Sequence, residues 1–452
     1  TIVKATILIS EIERKLNKRM DLRTFFSNPS IREQAVYLDS VSQTAYSKIK
    51  RIEKADVYDV SPSQKRLWVL DQIHGGTIEY NMPALYHFEE KVNSEQLQLA
   101  FQKLIDRHEV LRTNFINENG TPKQKIHEHL NFNLKYVDFS SSNDIDKEIK
   151  FIYDSESEYK FDLIEDTLLR ATLIKENDSS YYLVFVMHHI ISDGWSIDIL
   201  QRDLLDFYHN KEVRNLEIQY KDYAAWQNEL VHSEDFVEHK NYWNQTLNGE
   251  LPITELTKDF RNQFNSLNTG SKYTFYLDEK TAKSVNALCL SNNVSHFMFL
   301  LSVFKILIYK VTQNDDIIIG TPVAGREKSE LKDLIGFFLN TVVLRNSIEE
   351  FASFKNFLNK VKNNTLLALE HQNYPFEQLV DDLNITRDIN SFPITSIFFN
   401  MLNTGEKGGE IDDFNSTLDI HNHKIKFDID FYATEFENTI KFDIDFKNEL
   451  YE

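Results

Sequence analysis

At 452 residues the chain has room for two or three domains. With 41% hydrophobic residues, 27% charged residues and few Gly (12) or Pro (8), a fibrous or disordered chain is excluded. A net charge of −20 excludes general affinity for nucleic acid or for an anionic membrane surface, because like charges repel. The single cysteine, Cys289, excludes an intramolecular disulfide framework and suits a reducing compartment. With no secretory signal pattern at the front, a cytoplasmic location is expected.

Charge is uneven along the chain. Residues 1–40 hold seven basic and five acidic side chains, so the acidity lies beyond residue 40 and the front reads as a separate unit. Within it, Ala5, Leu8, Ile12 and Leu16 recur at helical steps and predict one apolar face. "FFSNPSIREQAVYL" predicts a second helix start, with Asn28 as N-cap and Pro29 at the first helical position. Two or three helices in 40 residues bury little core alone. Residues 41–56 are polar, lack an apolar face and read as a linker.

A larger body then begins. Ser61-Pro62-Ser63-Gln64 forms a capping-box pattern, with Ser61 as N-cap. Residues 94–115 predict a helix with Leu97, Phe101, Leu104 and Ile105 on one side. "YYLVFVM" (181–187) is a strand by its aromatic and β-branched content, and the helix after Ser196 carries Leu200, Leu204, Phe207 and Tyr208 on one face. From about 226 a second series begins, with a helix over 295–312 and a strand over 315–325. The helix is too short for a membrane span and carries Lys305 at its middle, so a buried helix is expected. The polar segment 403–415 is read as a loop by which one lobe reaches the other. No strict repeat period is visible, and the pattern predicts an α/β fold of two lobes, 57–225 and 226–452.

One stretch carries chemistry. "VMHHIISDGWSIDIL" (186–200) ends an apolar strand on two histidines, and Asp193-Gly194 precede a helix. Neighbours on a strand point to opposite faces, so only one of His188 and His189 faces a given cavity. That disfavours a zinc site, which needs converging imidazoles, and no metal is expected. Two histidines in such a place are ordinarily satisfied core or turn residues. Here the adjacent Asp-Gly turn orders the loop, and an imidazole at a strand end has the form of a positioned proton acceptor. The phosphate, dinucleotide and serine-hydrolase motifs are all missing. From residue types alone the site is a general base without a nucleophile of its own.

The same string resembles the HHxxxDG motif of nonribosomal peptide synthetase condensation domains. "SPSQKRLW" (61–68), "RHEVLRTNF" (107–115), "YKDYAAWQ" (220–227), "GTPVAGRE" (320–327), "IGFFLNTVVLR" (335–345) and "HQNYPFEQLV" (371–380) are similar to that family's other signatures, in family order. The stretch 386–400 departs from the family's seventh signature. Residues 4–38 resemble the back half of a peptidyl carrier domain. The phosphopantetheine-bearing serine that the carrier family places before this helix has no counterpart in Thr1-Ile2-Val3, so no attachment residue is assigned.

The resemblance implies two chloramphenicol-acetyltransferase-like lobes in a V shape, with a histidine in a tunnel between them and a carrier fragment at the front. It implies amide formation between an upstream carrier-bound acyl or peptidyl thioester and the amine of a downstream aminoacyl thioester. The 4'-phosphopantetheine belongs to the carriers, and the implied partners are donor and acceptor carrier domains and the adenylation domain of the same assembly line. His189 takes a proton from the amine or holds it by a hydrogen bond. His188, Asp193 and Gly194 complete the motif: His188 faces inward, Asp193 pairs with Arg326, and Gly194 leaves room beside the reacting carbonyl. Arg112 is expected in a fold-stabilising ion pair, Asn340 and Tyr374 at the tunnel or in ordinary packing, and Trp226 in the core. The Gly194-Trp195-Ser196 order is closer to domains that take an L-configured donor. Two further classes remain open: a non-catalytic docking module of the same fold, and an ester-forming enzyme that uses a hydroxyl acceptor.

Overall fold

Helices α1 (Ile2–Leu16), α2 (Leu22–Ser27) and α3 (Ile31–Ser40) form the front unit. The computed structural model describes residues 2–43, 48–233, 235–260, 269–349, 353–385, 392–403 and 423–452. Ala5 and Leu22 are buried in the core of the second lobe, with Ile9, Phe25 and Phe26 packed against it, whereas Leu8 and Leu16 are exposed. The expected stripe through Leu8 and Leu16 is therefore corrected. α1 carries two apolar lines at four-residue spacing, and the lobe surface selects the one through Ala5 and Ile9. The second helix start is corrected too. Asn28 is the C-cap of α2, and Ser30 caps α3 in a reciprocal capping box with Glu33. That box satisfies two backbone donors where Asn28 would satisfy one.

The segment after α3 lies against the first lobe. Ile49 joins that lobe's core, and Arg51 donates to the carbonyls of Glu217 (2.5 Å) and Leu216 (2.8 Å). The lobe then runs β1 (Tyr58–Asp59), α4 (Pro62–His74), β2 (Asn81–Phe88), α5 (Ser94–Arg107), β3 (Thr113–Glu118), β4 (Thr121–Ile126) and β5 (Lys135–Asp138). It continues with α6 (Ile145–Ser157), β6 (Leu169–Asn177), β7 (Ser180–His188), α7 (Gly194–Tyr208) and α8 (Tyr220–Leu230). Ser61 and Gln64 form the capping box of α4. α5 stops at Arg107 rather than 115, because His108 leaves the helix to bind Asp203 at 2.9 Å and Phe115 enters a strand. One sheet has the order β2-β7-β6-β5 and another β1-β4-β3. Every residue of β7 is buried, so the strand that leads to the histidines is rigidly placed.

The second lobe comprises α9 (Asp235–Thr246), β8 (Thr269–Tyr276), α10 (Glu279–Asn292), α11 (His296–Thr312), β9 (Asp316–Val323), β10 (Asn340–Ser347), α12 (Phe354–Glu370) and α13 (Phe376–Asp382). It ends with β11 (Ile397–Asn403), β12 (His423–Lys424), β13 (Ile429–Glu435) and β14 (Ile440–Lys447). Its sheet has the order β10-β9-β11-β13-β14-β8-β12, with β11 parallel to β9 and β13. Beyond Asn403, the segment read as a lobe-crossing loop lies outside the described residues. Lys305 in α11 is fully buried, and its ammonium donates to the Leu344 carbonyl (2.5 Å) and to Asn346 Oδ1 (2.7 Å). Among the described residues no single helix is long and apolar enough to cross a membrane.

A strap joins the lobes. β9 and β10 are antiparallel neighbours, yet residues 324–339 between them leave the second sheet. Leu331, Leu334, Ile335 and Phe338 pack into the first lobe's core. Gly325 starts the excursion at φ +64°, where a Cβ would lie 2.0 Å from the Phe338 carbonyl oxygen. Arg326 comes next, buried, and donates to the carbonyls of Leu331 (2.6 Å) and Leu334 (2.7 Å), to Ser196 Oγ (2.9 Å) and to Asp193 Oδ1 (3.0 Å). Asp193 is the N-cap of α7, accepting from the Ser196 N–H at 2.8 Å, and its second oxygen accepts from the Phe338 N–H at 3.1 Å.

Removing one side of a buried, hydrogen-bonded ion pair leaves the other charge unpaired. Arg326→Met is therefore expected to cost about 3–5 kcal/mol in equilibrium urea unfolding. Asp193→Asn keeps one capping oxygen but leaves the Arg326 charge without its counter-ion and the Phe338 N–H without its acceptor, so a similar loss is expected. A loss in Arg326→Met no larger than that of an exposed pair, about 1 kcal/mol or below, would refute the strap's dependence on this contact.

Candidate active site

β7 ends at His188, and the chain turns into a single 3-10 turn over 189–191. The two histidines diverge at this turn rather than by strand alternation. His188 is buried, its Nδ1 accepts from the Ile190 N–H at 3.2 Å, and its ring lies edge-on to Phe161 at 6.1 Å. Burial in this apolar setting pushes its pKa down to about 3, so it is neutral. Its Nε2 has no hydrogen-bond partner among the described residues.

His189 is half-buried and lines a cavity of about 440 Å³. Its backbone N–H donates to the Tyr80 carbonyl at 2.7 Å, and its Nδ1 lies 2.8 Å from the Ser192 carbonyl. A carbonyl oxygen only accepts, so Nδ1 carries the proton and Nε2 presents a lone pair. Burial first, and the nearby Lys426 ammonium second, hold the imidazole well below its ordinary pKa. Phe337 of the strap meets the ring edge-on at 5.0 Å. The ring is thus fixed by Ser192 on one side and by the strap on another.

Both lobes wall this cavity. Arg66, Tyr80, Asn81 and Met82 come from the first, and Asn340, Asn400, Lys426, Asp430, Tyr432 and Asp445 from the second. Asn340 donates to the carbonyls of Gln372 and Tyr374, each at 2.7 Å, and accepts from the Phe376 N–H at 3.0 Å. It therefore shapes the segment 372–376. Tyr374 itself is buried against Phe236 with ring centroids 4.6 Å apart, which is packing. Trp226 packs partly buried on the first core. Arg112 sits away from the cavity, donating to the His127 carbonyl at 2.5 Å and standing 4.0 Å from Glu109. Gly194 is the first helical residue of α7, and a Cβ there would meet nothing within 4 Å.

A second cavity of about 590 Å³ shares Pro322 and Asn400 with the first. It is walled by the front unit (Thr6, Ile7, Phe26 and Pro29), by α10 and α11, and by Trp195 and Arg326. Sequence reasoning missed the second lobe's polar wall. The available signal is the heptapeptide IKFDIDF, which occurs identically at 425–431 and 440–446. In the sheet the two copies pair antiparallel, and Asp430 meets Asp445 across the strands. Burial and that neighbouring carboxylate push Asp430 up to about 7.

A condensation-domain family model matches residues 54–452. The chain is 35% identical over 454 residues to gramicidin S synthase 2 of Aneurinibacillus migulanus, covering 100% of this chain and 10% of that protein. It is 32% identical over 451 residues to tyrocidine synthase 3 of Brevibacillus parabrevis, covering 100% of this chain and 7% of that protein. The chain therefore spans a small part of the curated relatives it matches. Among solved structures, the X-domain from teicoplanin biosynthesis aligns with a TM-score of 0.80 at 19% identity, over 90% of this chain and 93% of that one. A four-domain nonribosomal peptide synthetase bound to AMP and glycine aligns at 0.75 and 20% identity, over 90% of this chain and 32% of that one. At these identities the structural likeness is one of fold. The family match, spanning both lobes and the cavity between them, and the synthetase relatives together identify the chain as a member of the condensation-domain family of nonribosomal peptide synthetases.

Proposed function

We propose that this domain forms an amide bond between an acyl or peptidyl thioester on an upstream carrier and the amine of an aminoacyl thioester on a downstream carrier. The observation that carries this reading is the neutral His189, with Nε2 unprotonated, in a cavity walled by both lobes. A thioester is already activated, so no covalent enzyme intermediate is required. The amine must arrive neutral, close and aligned, and such alignment supplies several kcal/mol of barrier reduction. Nε2 accepts an amine N–H, orients the nitrogen lone pair toward the carbonyl carbon, and takes up the proton that becomes acidic once the C–N bond forms. Asp193 and Arg326 act at a distance, by holding the strap whose Phe337 packs on the imidazole.

The front unit resembles part of a carrier domain, and its contribution to the second cavity supports a donor route through that cavity, with the carrier's pantetheine arm as part of the substrate. The adjoining His189 cavity then meets the acceptor. A recruiting module of the same fold is the second reading, favoured by the likeness to the teicoplanin X-domain, which is also described in a complex with OxyB. The positioned His189 favours catalysis over recruitment.

Dipeptidyl product from loaded donor and acceptor carriers tests the reading. The wild type is expected to turn over, and His189→Ala to lose about 10²–10⁴-fold in single-turnover rate. No wild-type product with verified loaded carriers would favour recruitment. Offering amine and hydroxyl acceptors side by side separates amide from ester formation, with amide expected.

The pH dependence has its origin in the same burial. His189 is already neutral through the physiological range, because its pKa is lowered. The rate on the acid side should therefore rise with deprotonation of the acceptor α-amine, whose ordinary pKa is about 7.7–8.0. Rate profiles with acceptors of different amine pKa check this, since the limb should move with the acceptor. A fixed limb near the imidazole's ordinary value would contradict it.

A further inference from the structure

The cavity contains a cation that the histidine chemistry does not use. Lys426 lies just ahead of β13 and lines the same cavity as His189. Its ammonium stands over the Tyr80 ring, 4.9 Å from the centroid, and the carbonyl of that same Tyr80 receives the His189 N–H at 2.7 Å. The cation and the His189 backbone thus both meet one residue. No hydrogen bond or ion pair to a described residue engages the ammonium. A cation drawn out of water without a hydrogen-bonded partner among the described residues is costly, and an acceptor arriving in the cavity relieves that cost.

The surrounding charge decides what kind of acceptor fits. Glu79, Glu377, Asp430 and Asp445 line the cavity, and its other cation among the described residues, Arg66, is paired with Glu377 at 3.1 Å. A ligand bearing a permanent carboxylate would meet this acidic wall on binding. A neutral carbonyl enters without that penalty, and the charge it gains during reaction develops beside the ammonium.

We propose that Lys426 is the electrophilic residue of the chamber, donating a hydrogen bond to the thioester carbonyl oxygen opposite His189. This rests on the amide-forming reading of the site. The amine lone pair attacks the carbonyl carbon, the C–N bond forms, and the carbonyl electron pair moves onto the oxygen beside the Lys426 ammonium. The carbonyl then re-forms, the C–S bond breaks, and its electron pair leaves on sulfur. The proton lost by nitrogen passes through His189 Nε2 to that sulfur, giving the free thiol. A preorganised donor at a developing oxyanion is worth far more in a water-poor cavity than in solvent.

Burial lowers the Lys426 pKa to about 8, with Asp430 opposing that shift, Arg66 adding to it and Glu79 opposing it. Tyr80 and His189 also face the group. Deprotonation above that pH replaces the charged donor with a much weaker neutral one, so the wild-type rate should fall as the pH rises through about 8.

The test is single-turnover dipeptide formation by the full chain with loaded carriers, comparing wild type, Lys426→Met and Lys426→Arg. Lys426→Met should lower the rate roughly 100-fold or more, the usual effect of losing one oxyanion donor. Its carrier affinity should be unchanged, and its thermal unfolding unchanged or raised, because the substitution removes a costly charge. Lys426→Arg should recover part of the rate and lose the alkaline fall, because arginine stays charged. Undiminished turnover in Lys426→Met overturns the proposal while leaving the amide-forming reading intact. A loss confined to substrates with a carboxylate side chain also overturns it, and assigns the ammonium to side-chain recognition instead. Absence of wild-type product would sink the underlying reading, and this proposal with it.

Discussion

The buried contact between Asp193 and Arg326 is the constraint on which the chamber depends. Asp193 caps α7 in the first lobe, and Arg326 begins the strap that leaves the second lobe's sheet. The aspartate's two oxygens collect the Ser196 N–H, the Arg326 guanidinium and the Phe338 N–H, so one carboxylate fixes a helix start and both ends of the strap. Tyr220 adds a second tie, donating to the Phe337 carbonyl at 2.6 Å. Phe337, held from both sides, is the residue that packs on His189. An aspartate in the histidine motif therefore reaches the imidazole through the strap rather than by touching it.

The chamber's electrostatics come from desolvation more than from pairing. Burial holds both histidines neutral, lifts Asp430 to about 7 and lowers Lys426 to about 8, each toward its uncharged form. Beside the Arg66–Glu377 ion pair, the groups nearest the imidazole are thus held close to their neutral forms. The site keeps groups that titrate near the working pH on the wall facing the imidazole. This arrangement suits a reaction in which charge appears and vanishes within one step, because groups poised near neutrality can answer it.

Much of the fold is legible in the sequence wherever local rules and tertiary contacts agree. Ser61 and Gln64 form the expected box, and α11 and β9 lie within a few residues of their expected ends. The failures have physical causes. Pro29 points to a helix start at Asn28, but the reciprocal Ser30–Glu33 box is the stronger cap. α1 offers two apolar lines, and only the second lobe's surface distinguishes them. The expected helix 94–115 is too long because Val110, Leu111 and Phe115 continue the hydrophobic density, whereas their burial is achieved by a 3-10 turn and a strand. Lys305 marks its helix as unsuited to a membrane span, yet its partners on β10 lie some forty positions away and have no sequence signature. The candidate site divides in the same way. His189 and Asp193 announce themselves by their local company, but Asp430 and Asp445 are brought side by side only when the strands carrying the two copies of IKFDIDF pair.

The strap also bears on how such a chamber selects substrates. β9 and β10 pair without a break from Asn340↔Val323 to Ser347↔Asp316, so the strap's two ends are fixed by a continuous ladder. Its tip is fixed in the first lobe by buried apolar side chains, and its ends are tied there by the Asp193 contacts. Separating the lobes at the histidine would require breaking either a sheet edge or a buried ion pair, and both are costly relative to the few kcal/mol that ligand binding can redistribute. The chamber therefore meets its substrates with a largely preset shape. Discrimination among them then falls to the side chains on its two facing walls, with Arg66 and Tyr80 on one and Asn400, Asp430 and Tyr432 on the other.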